Sequence, residues 1–523
     1  MTDFLDSMDA LGLSAEKRKL LAYLLLEEEV EPMQSQVIAP RDRTAAPPLS
    51  FAQQRLWVLE QLAPGTAAYT IPSVVRLSGA LKLAALQQSI NAIVQRHEAL
   101  RTTFELLAEQ PVQIVAAHLR VPLGVLDLTG LPTPERSPVA LRLAIADTQI
   151  PFALVRGPLL RTVLLRLAPT EHVLLLTMHH IVADGWSLGV FLRDLAALYE
   201  ALARGRPAQL PALPIQYADF AIWQRQWLQG ALLAEQLGYW KRQLAELPTL
   251  ALPTDHPRPV ALSGRSAIHT LALTRKQLNA LLALCAQTDA TLFMLLLAGF
   301  GVLLRWFTDQ EDIVVGADIA NRTQGEVADL IGFFVNLLVM RVDLSGDPTV
   351  RELLLRVRTI CLEAYAHQDL PFELLVDTLQ PVREIGRAPL VQVVIVLQNA
   401  PLPAVALADL TLEPLDIETG VAKFDMVLNI TETPAGLRGG LKYNVDLFES
   451  ATIARLMALF ESLLMLMADQ PQAQLHDLIA QLTAAARQHQ LAQVQQLKAA
   501  RQQTFQARKR KLVGRVAQGE DSL

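Results

Sequence analysis

The run RTVLLRLAPTEHVLLLTMHHIVADGWSLGVFLRDLAALYEALARG, residues 161–205, constrains the fold more than any other stretch of the chain. Two short apolar segments meet at a turn over Ala168–Glu171, which predicts a pair of buried strands. The segment after the second strand has helical spacing and stops at a glycine, a common helix end. Between strand and helix lies MHHIVADGWS, residues 178–187. A short polar loop on such a rigid support is a frequent place for reactive side chains.

The rest of the chain predicts the same α/β style. Helices are expected over 84–97, 275–288, 291–306 and 348–367. Strands are expected at RTTFELL, at Ile313–Ala317 and near 391–398 and 425–431. With 523 residues the chain exceeds one ordinary core, so two packed subdomains with tails are expected. Residues 13–30 read as a helix with Ser14 at its N-cap, followed by an extended linker containing Pro32, Pro40, Pro47 and Pro48. The globular part is expected to begin near Leu49. From about residue 481 the sequence turns rich in Gln, Ala and Arg, with a basic run from Arg508 to Lys511. That predicts a helical tail, exposed or used for docking to an acidic partner.

Several functional classes fall away. A net charge of −6 gives no reason to expect nucleic acid. Two cysteines, Cys285 and Cys361, sit in apolar helical surroundings and cannot build a disulfide framework or a zinc knuckle. Core thiols in a reducing cytoplasm are the expectation. The N-terminal MTDFLDSMDALG lacks the basic start and cleavage site of a signal peptide. The longest apolar stretch, Leu292–Leu304, falls short of the roughly 20 residues a bilayer span needs, so it reads as a buried core helix.

In MHHIVADGWS the two histidines cannot serve one cavity while strand geometry lasts, because neighbouring side chains point to opposite faces. One is expected to pack and the other to work. A histidine pKa of about 6.5 leaves imidazole mostly neutral at pH 7, able to take a proton from an attacking amine or hydroxyl. Asp184 is expected to pin the loop through an arginine, and Gly185 to permit a turn that other residues resist. By themselves these residues leave catalysis and plain structure both open.

The motif MHHIVADGWS resembles the HHxxxDG signature of non-ribosomal peptide synthetase condensation domains, and further motifs of that family occur in order. SFAQQRLWVL at 50–59 and RHEALRTTF at 96–104 precede it. YADFAIW at 217–223, IGFFVNLLVMR at 331–341 and HQDLPFE at 367–373 follow. GRAPLVQVVIVLQN at 386–399 is a degraded form of the closing motif. The resemblance implies an α/β fold of two chloramphenicol-acetyltransferase-like subdomains, a V-shaped pseudo-dimer with a central tunnel. The expected divisions are 1–48, 49–215, 216–480 and 481–523, with the halves parting near Pro211 and Pro214.

Carried over residue by residue, the resemblance implies that His180 is catalytic, as a base or as the hydrogen-bond acceptor that positions the nucleophile. His179 supports it. Asp184 would be structural, paired with Arg101. Gly185 would keep the loop open and its N–H would face the developing oxyanion. Trp223 and Asn336 match positions that matter for the tunnel and active site, a core aromatic and a capped loop amide being the plain alternatives. The glycine and both histidines set aside heterocyclising relatives, and the sequence after the glycine sets aside epimerisation domains. The implied activity joins a carrier-bound acyl or peptidyl thioester to an amine or hydroxyl. No cofactor of its own is implied, since substrates arrive on phosphopantetheine arms of carrier proteins met in trans by a stand-alone monomer. An acyltransferase using a free small alcohol or amine, and a silent carrier-binding scaffold, are the alternatives.

Overall fold

A computed structural model describes residues 37–260, 262–381, 386–398, 405–407, 410–415, 417–418 and 420–488. The helix expected at 13–30 and the tail beyond residue 488 lie outside these residues; from 475 to 488 the chain is helical.

The first half runs α1 (Phe51–Leu62), β1 (Thr70–Gly79), α2 (Leu83–Arg96), β2 (Thr102–Leu107), β3 (Gln110–Val115), β4 (Leu123–Asp127), α3 (Thr133–Thr148), β5 (Leu160–Ala168), β6 (Glu171–His179) and α4 (Gly185–Ala203). Strands β5 and β6 form the antiparallel pair predicted from the sequence, turning at residues 168–171. Apolar side chains alternate along β5, whereas β6 is buried almost throughout, because sheet neighbours and helices cover both its faces. Helix α4 packs on α2 and fills the core with Val190, Phe191, Leu195 and Leu198.

The second half runs α5 (Tyr217–Trp227), α6 (Gly230–Gln243), β7 (Ser266–Thr274), α7 (Arg275–Gln287), α8 (Leu292–Thr308), β8 (Asp312–Ile319), β9 (Asn336–Asp343), α9 (Val350–Ala366), α10 (Phe372–Leu379), β10 (Val393–Gln398), β11 (Val405–Leu407), β12 (Leu410–Leu415), β13 (Met426–Thr433), β14 (Gly436–Asn444) and α11 (Ser450–Asp469). Helix α8 is buried continuously from Leu292 to Leu304, as its sequence predicted, with capping by Thr291. Among the described residues α11 alone is long and apolar enough to cross a membrane as one helix. It packs inside, with Phe460 edge-on to Phe300 at 6.0 Å. Cys285 and Cys361 are free and buried.

Two open six-stranded sheets result, in the orders β11-β12-β1-β6-β5-β4 and β7-β14-β13-β10-β8-β9. Strand β12 pairs antiparallel with β1, from Val74↔Leu415 to Gly79↔Leu410. The first-half sheet therefore includes a strand pair from the stretch expected to belong wholly to the second half. A second tie lies at the start. Residues 37–42 are extended, as read, but Arg41 is buried and bonds Glu98 at 2.6 Å and Asp219 at 2.8 Å. Gln113 N donates to Pro47 O at 2.8 Å. This segment is a strap across both halves rather than a free linker.

Candidate active site

Strand β6 delivers His179 as its last residue, and His180 opens a short 3-10 turn, His180–Val182. The change of backbone there separates the two rings. His179 is buried, and its Nδ1 accepts from Ile181 N at 3.1 Å, so its proton sits on Nε2. Its ring meets Tyr69 and Phe152 at 6.5 and 6.1 Å. Burial pushes it down to about 3, so it stays neutral. It caps the turn that carries its neighbour.

His180 has the opposite tautomer. Its Nδ1 lies 3.1 Å from Ala183 O, and a carbonyl only accepts, so Nδ1 carries the proton and Nε2 keeps its lone pair. Its backbone N donates to Tyr69 O at 2.8 Å, and its ring rests 4.9 Å from Phe333. Burial first, then Lys423 and His179, hold it well below the usual histidine value. The result is a neutral imidazole, half-buried, with an acceptor nitrogen free.

Asp184 is fully buried and caps α4, accepting from Ser187 N at 2.8 Å and Ser187 Oγ at 2.7 Å. Its ion pair is with Arg322, Nη2 to Oδ1 3.1 Å, and Phe334 N donates to Oδ2 at 3.0 Å. The structural role assigned from sequence holds; the partner does not. Arg101 instead bonds Ala116 O and approaches Glu98 at 3.5 Å, drawn there by the carboxylate that Arg41 and Arg43 also share. Arg322 also donates to Val327 O, Leu330 O and Ser187 Oγ, at 2.6, 2.7 and 3.0 Å. One arginine thus ties the HHxxxDG loop to the 322–334 segment of the second half.

The expectation that Gly185 is needed for a strained turn is corrected. It takes the first helical position of α4 without a left-handed backbone, and a Cβ there would meet nothing within 4 Å. What glycine preserves is open space beside the loop. Its N–H is among those that a helix leaves unpaired at its start. A bulky side chain should fit the backbone and obstruct the space. Gly185→Trp is expected to keep its melting temperature while product formation falls at least about tenfold, one decade being about 1.4 kcal/mol in barrier.

The other motif residues converge on this loop. Gly332 packs flat against Tyr217, where a Cβ would fall 1.9 Å from the ring. The Tyr217 hydroxyl donates to Phe333 O at 2.6 Å and lies 2.8 Å from Ser50 Oγ. His97 joins Asp194 at 3.1 Å and accepts from Ile331 N at 3.3 Å. Trp223 stacks on Trp227 at 4.8 Å and packs on Phe220 at 5.8 Å, the core-aromatic reading. Asn336 is buried and donates to Gln368 O and Leu370 O at 2.9 and 2.8 Å, while its oxygen accepts from Phe372 N at 2.9 Å. It fastens the HQDLPFE loop to β9 as a capped loop amide. Asn336→Ala strands those buried groups at about 1–3 kcal/mol each. A lowered denaturation midpoint is the expected outcome.

This convergence can be set beside known proteins. The condensation-domain family model matches residues 44–491. The chain belongs to the condensation-domain family. It is 51% identical over 83% of its length to a linear gramicidin synthase from Brevibacillus parabrevis, and 43% identical over 82% to chondramide synthase cmdD of Chondromyces crocatus. It spans 6% and 11% of the lengths of those synthases. Among solved structures, the X-domain from teicoplanin biosynthesis superposes with a TM-score of 0.77 at 30% identity, covering 84% of this chain and 99% of that one. The SgcC5 protein from Streptomyces globisporus superposes at 0.69 and 28%, covering 82% and 100%. The α/β architecture of two open sheets is the condensation-domain fold, and the chain is homologous to condensation domains of non-ribosomal peptide synthetases.

Sequence reasoning missed Arg322, which lies in ANRTQG between recognised motifs, and Lys423, just ahead of β13. Neither has a local pattern; both act across the fold.

Proposed function

We propose that this condensation domain joins a carrier-bound acyl or peptidyl thioester to an amine, forming an amide. The observation that carries the reading is the free Nε2 of a neutral His180, held by Nδ1–H to Ala183 O on a loop anchored by Asp184 and Arg322. The acceptor nitrogen forms a bond to the thioester carbonyl carbon, and the carbon–sulfur bond breaks. The departing thiolate of the phosphopantetheine arm finally takes the proton that nitrogen loses. His180 Nε2 accepts a hydrogen bond from the amine and fixes its approach. An amine with a pKa near 8 is already partly neutral at pH 7, so positioning supplies much of the rate. The Gly185 N–H at the start of α4 suits the developing oxyanion. The substrates enter along the cleft between the halves on arms of partner carriers, and no cofactor of the chain's own takes part.

A free small-molecule acceptor is favoured by one observation: SgcC5 was solved in complex with (R)-(-)-1-(2-naphthyl)-1,2-ethanediol. The likeness to an X-domain, one of which was solved in complex with OxyB, favours a carrier-binding platform. Intact-protein mass spectrometry separates the three. An acylated carrier is mixed with the chain and a panel of carrier-bound amines, free amines and free diols. Loss of acyl mass with an amide product supports the proposal. Product with free acceptors alone supports the second reading, and carrier binding without turnover the third.

A further inference from the structure

Lys423 belongs to the short segment leading into β13. Its backbone is pinned there, Ala422 N donating to Gly264 O at 2.7 Å and Val421 bridging Arg265. From the second half its ammonium reaches over the ring of Tyr69, in the first half, 4.8 Å from the centroid. Tyr69 is the residue whose carbonyl accepts from His180 N at 2.8 Å and whose ring faces His179. A lysine thus crosses the cleft and stops on the support of the histidine pair.

The side chains here are wetted and desolvated together. Lys423 and Asp318 both retain solvent-accessible surface. Yet burial pushes Lys423 down to about 8 and Asp318 up to about 6. Groups in both conditions line an internal, water-filled cleft. Asp318 draws on Lys423, while Lys442 and Arg55 repel it.

The groups facing His180 follow element by element. Its own loop offers His179 and the Ala183 carbonyl. The 331–334 segment offers the Phe333 ring, and the lead into β1 offers Tyr69. Asp184 spends its charge on Arg322. Lys423 is the cation that acts on His180 from across the cleft.

We propose that Lys423 is a positioning residue for His180, an ammonium delivered across the cleft that keeps the imidazole unprotonated and its Nε2 open to the acceptor. This rests on the reading of His180 as the residue that receives the acceptor's hydrogen. An imidazolium facing an ammonium is penalised, so the neutral ring persists below the pH at which histidine ordinarily protonates. Contact with Tyr69 makes that effect depend on apposition of the two halves.

The test titrates His180 by NMR in full-length chain with isotope-labelled histidine, its signal assigned by loss in His180→Gln. Lys423→Met is expected to raise the His180 midpoint by about one pH unit or more, a tenfold change in protonation. Lys423→Arg is expected to match the parent. An unmoved midpoint in Lys423→Met overturns the proposal; Lys423→Gln serves should the methionine variant disturb the other histidine signals. In turnover, the ratio of variant to parent kcat cancels the acceptor's own ionisation. It is expected to fall as pH drops from 8 to 6 with KM little changed, and a ratio constant with pH overturns the proposal. Absence of turnover in every sample would refute the proposed amide synthesis and still leave the titration readable.

Discussion

Arg322→Ala is expected to destabilise the protein by about 3–5 kcal/mol, the cost of removing one member of a buried ion pair. Both partners are out of water, with side-chain exposures of 2% for Arg322 and 0% for Asp184. Loss of the guanidinium leaves the Asp184 carboxylate buried with only its bonds to Ser187 and Phe334 N, and strands the Val327 and Leu330 carbonyls. Phe334 also loses the cation 4.1 Å above its ring. A denaturant midpoint shifted well down, with unchanged slope, is the expected measurement. Asp184→Leu with Arg322→Leu should lose less than the two single changes summed, because no charge is left alone. Additive losses would show that the pair does not act as a unit. Turnover should fall with stability, since the same bonds hold the start of α4 and the turn bearing His180.

The second large effect is catalytic. His180→Ala is expected to cut product formation by about 10²–10⁴-fold, the range for a lost general base or positioning contact. The fold should survive, because the imidazole is half-buried and its one side-chain bond goes to Ala183 O. Ester formation with an alcohol is expected to suffer more than amide formation with a matched amine. An alcohol keeps its proton until attack has begun and depends on an acceptor, whereas an amine near pKa 8 is already partly free of its extra proton. Equal losses with the two acceptors would contradict that account. Because His180 sits well below its ordinary value, it is neutral through pH 6–8, so an acid limb in this range belongs to the amine acceptor. With an alcohol acceptor the parent profile should be flat there.

How much of this was legible in the chain varies by residue. The β5–β6 pair, α4 and α8 were readable because periodicity reports which faces are buried, and burial is what the sequence encodes most directly. The termini of α4 were readable too, from Asp184 before the helix and Gly205 after it. The pair of histidines was legible as a division of labour, and the structure gives the two rings opposite tautomers through Ile181 N and Ala183 O. Asn336 and Trp223 were legible as positions, while their work as a loop tie and a stacked core aromatic was not.

The sequence by itself determined the family, the α/β style and the identity of the loop that carries His180, since each rests on local pattern and ordered motifs. Only the tertiary structure decided that Asp184 pairs with Arg322 and not Arg101, that β12 completes the first sheet, and that Lys423 reaches Tyr69. Those contacts join residues more than a hundred positions apart, and an ion pair or an edge strand has no periodicity to announce its partner. Charge finds whichever opposite charge the packed cores bring within reach, and that is known only once the chain has folded.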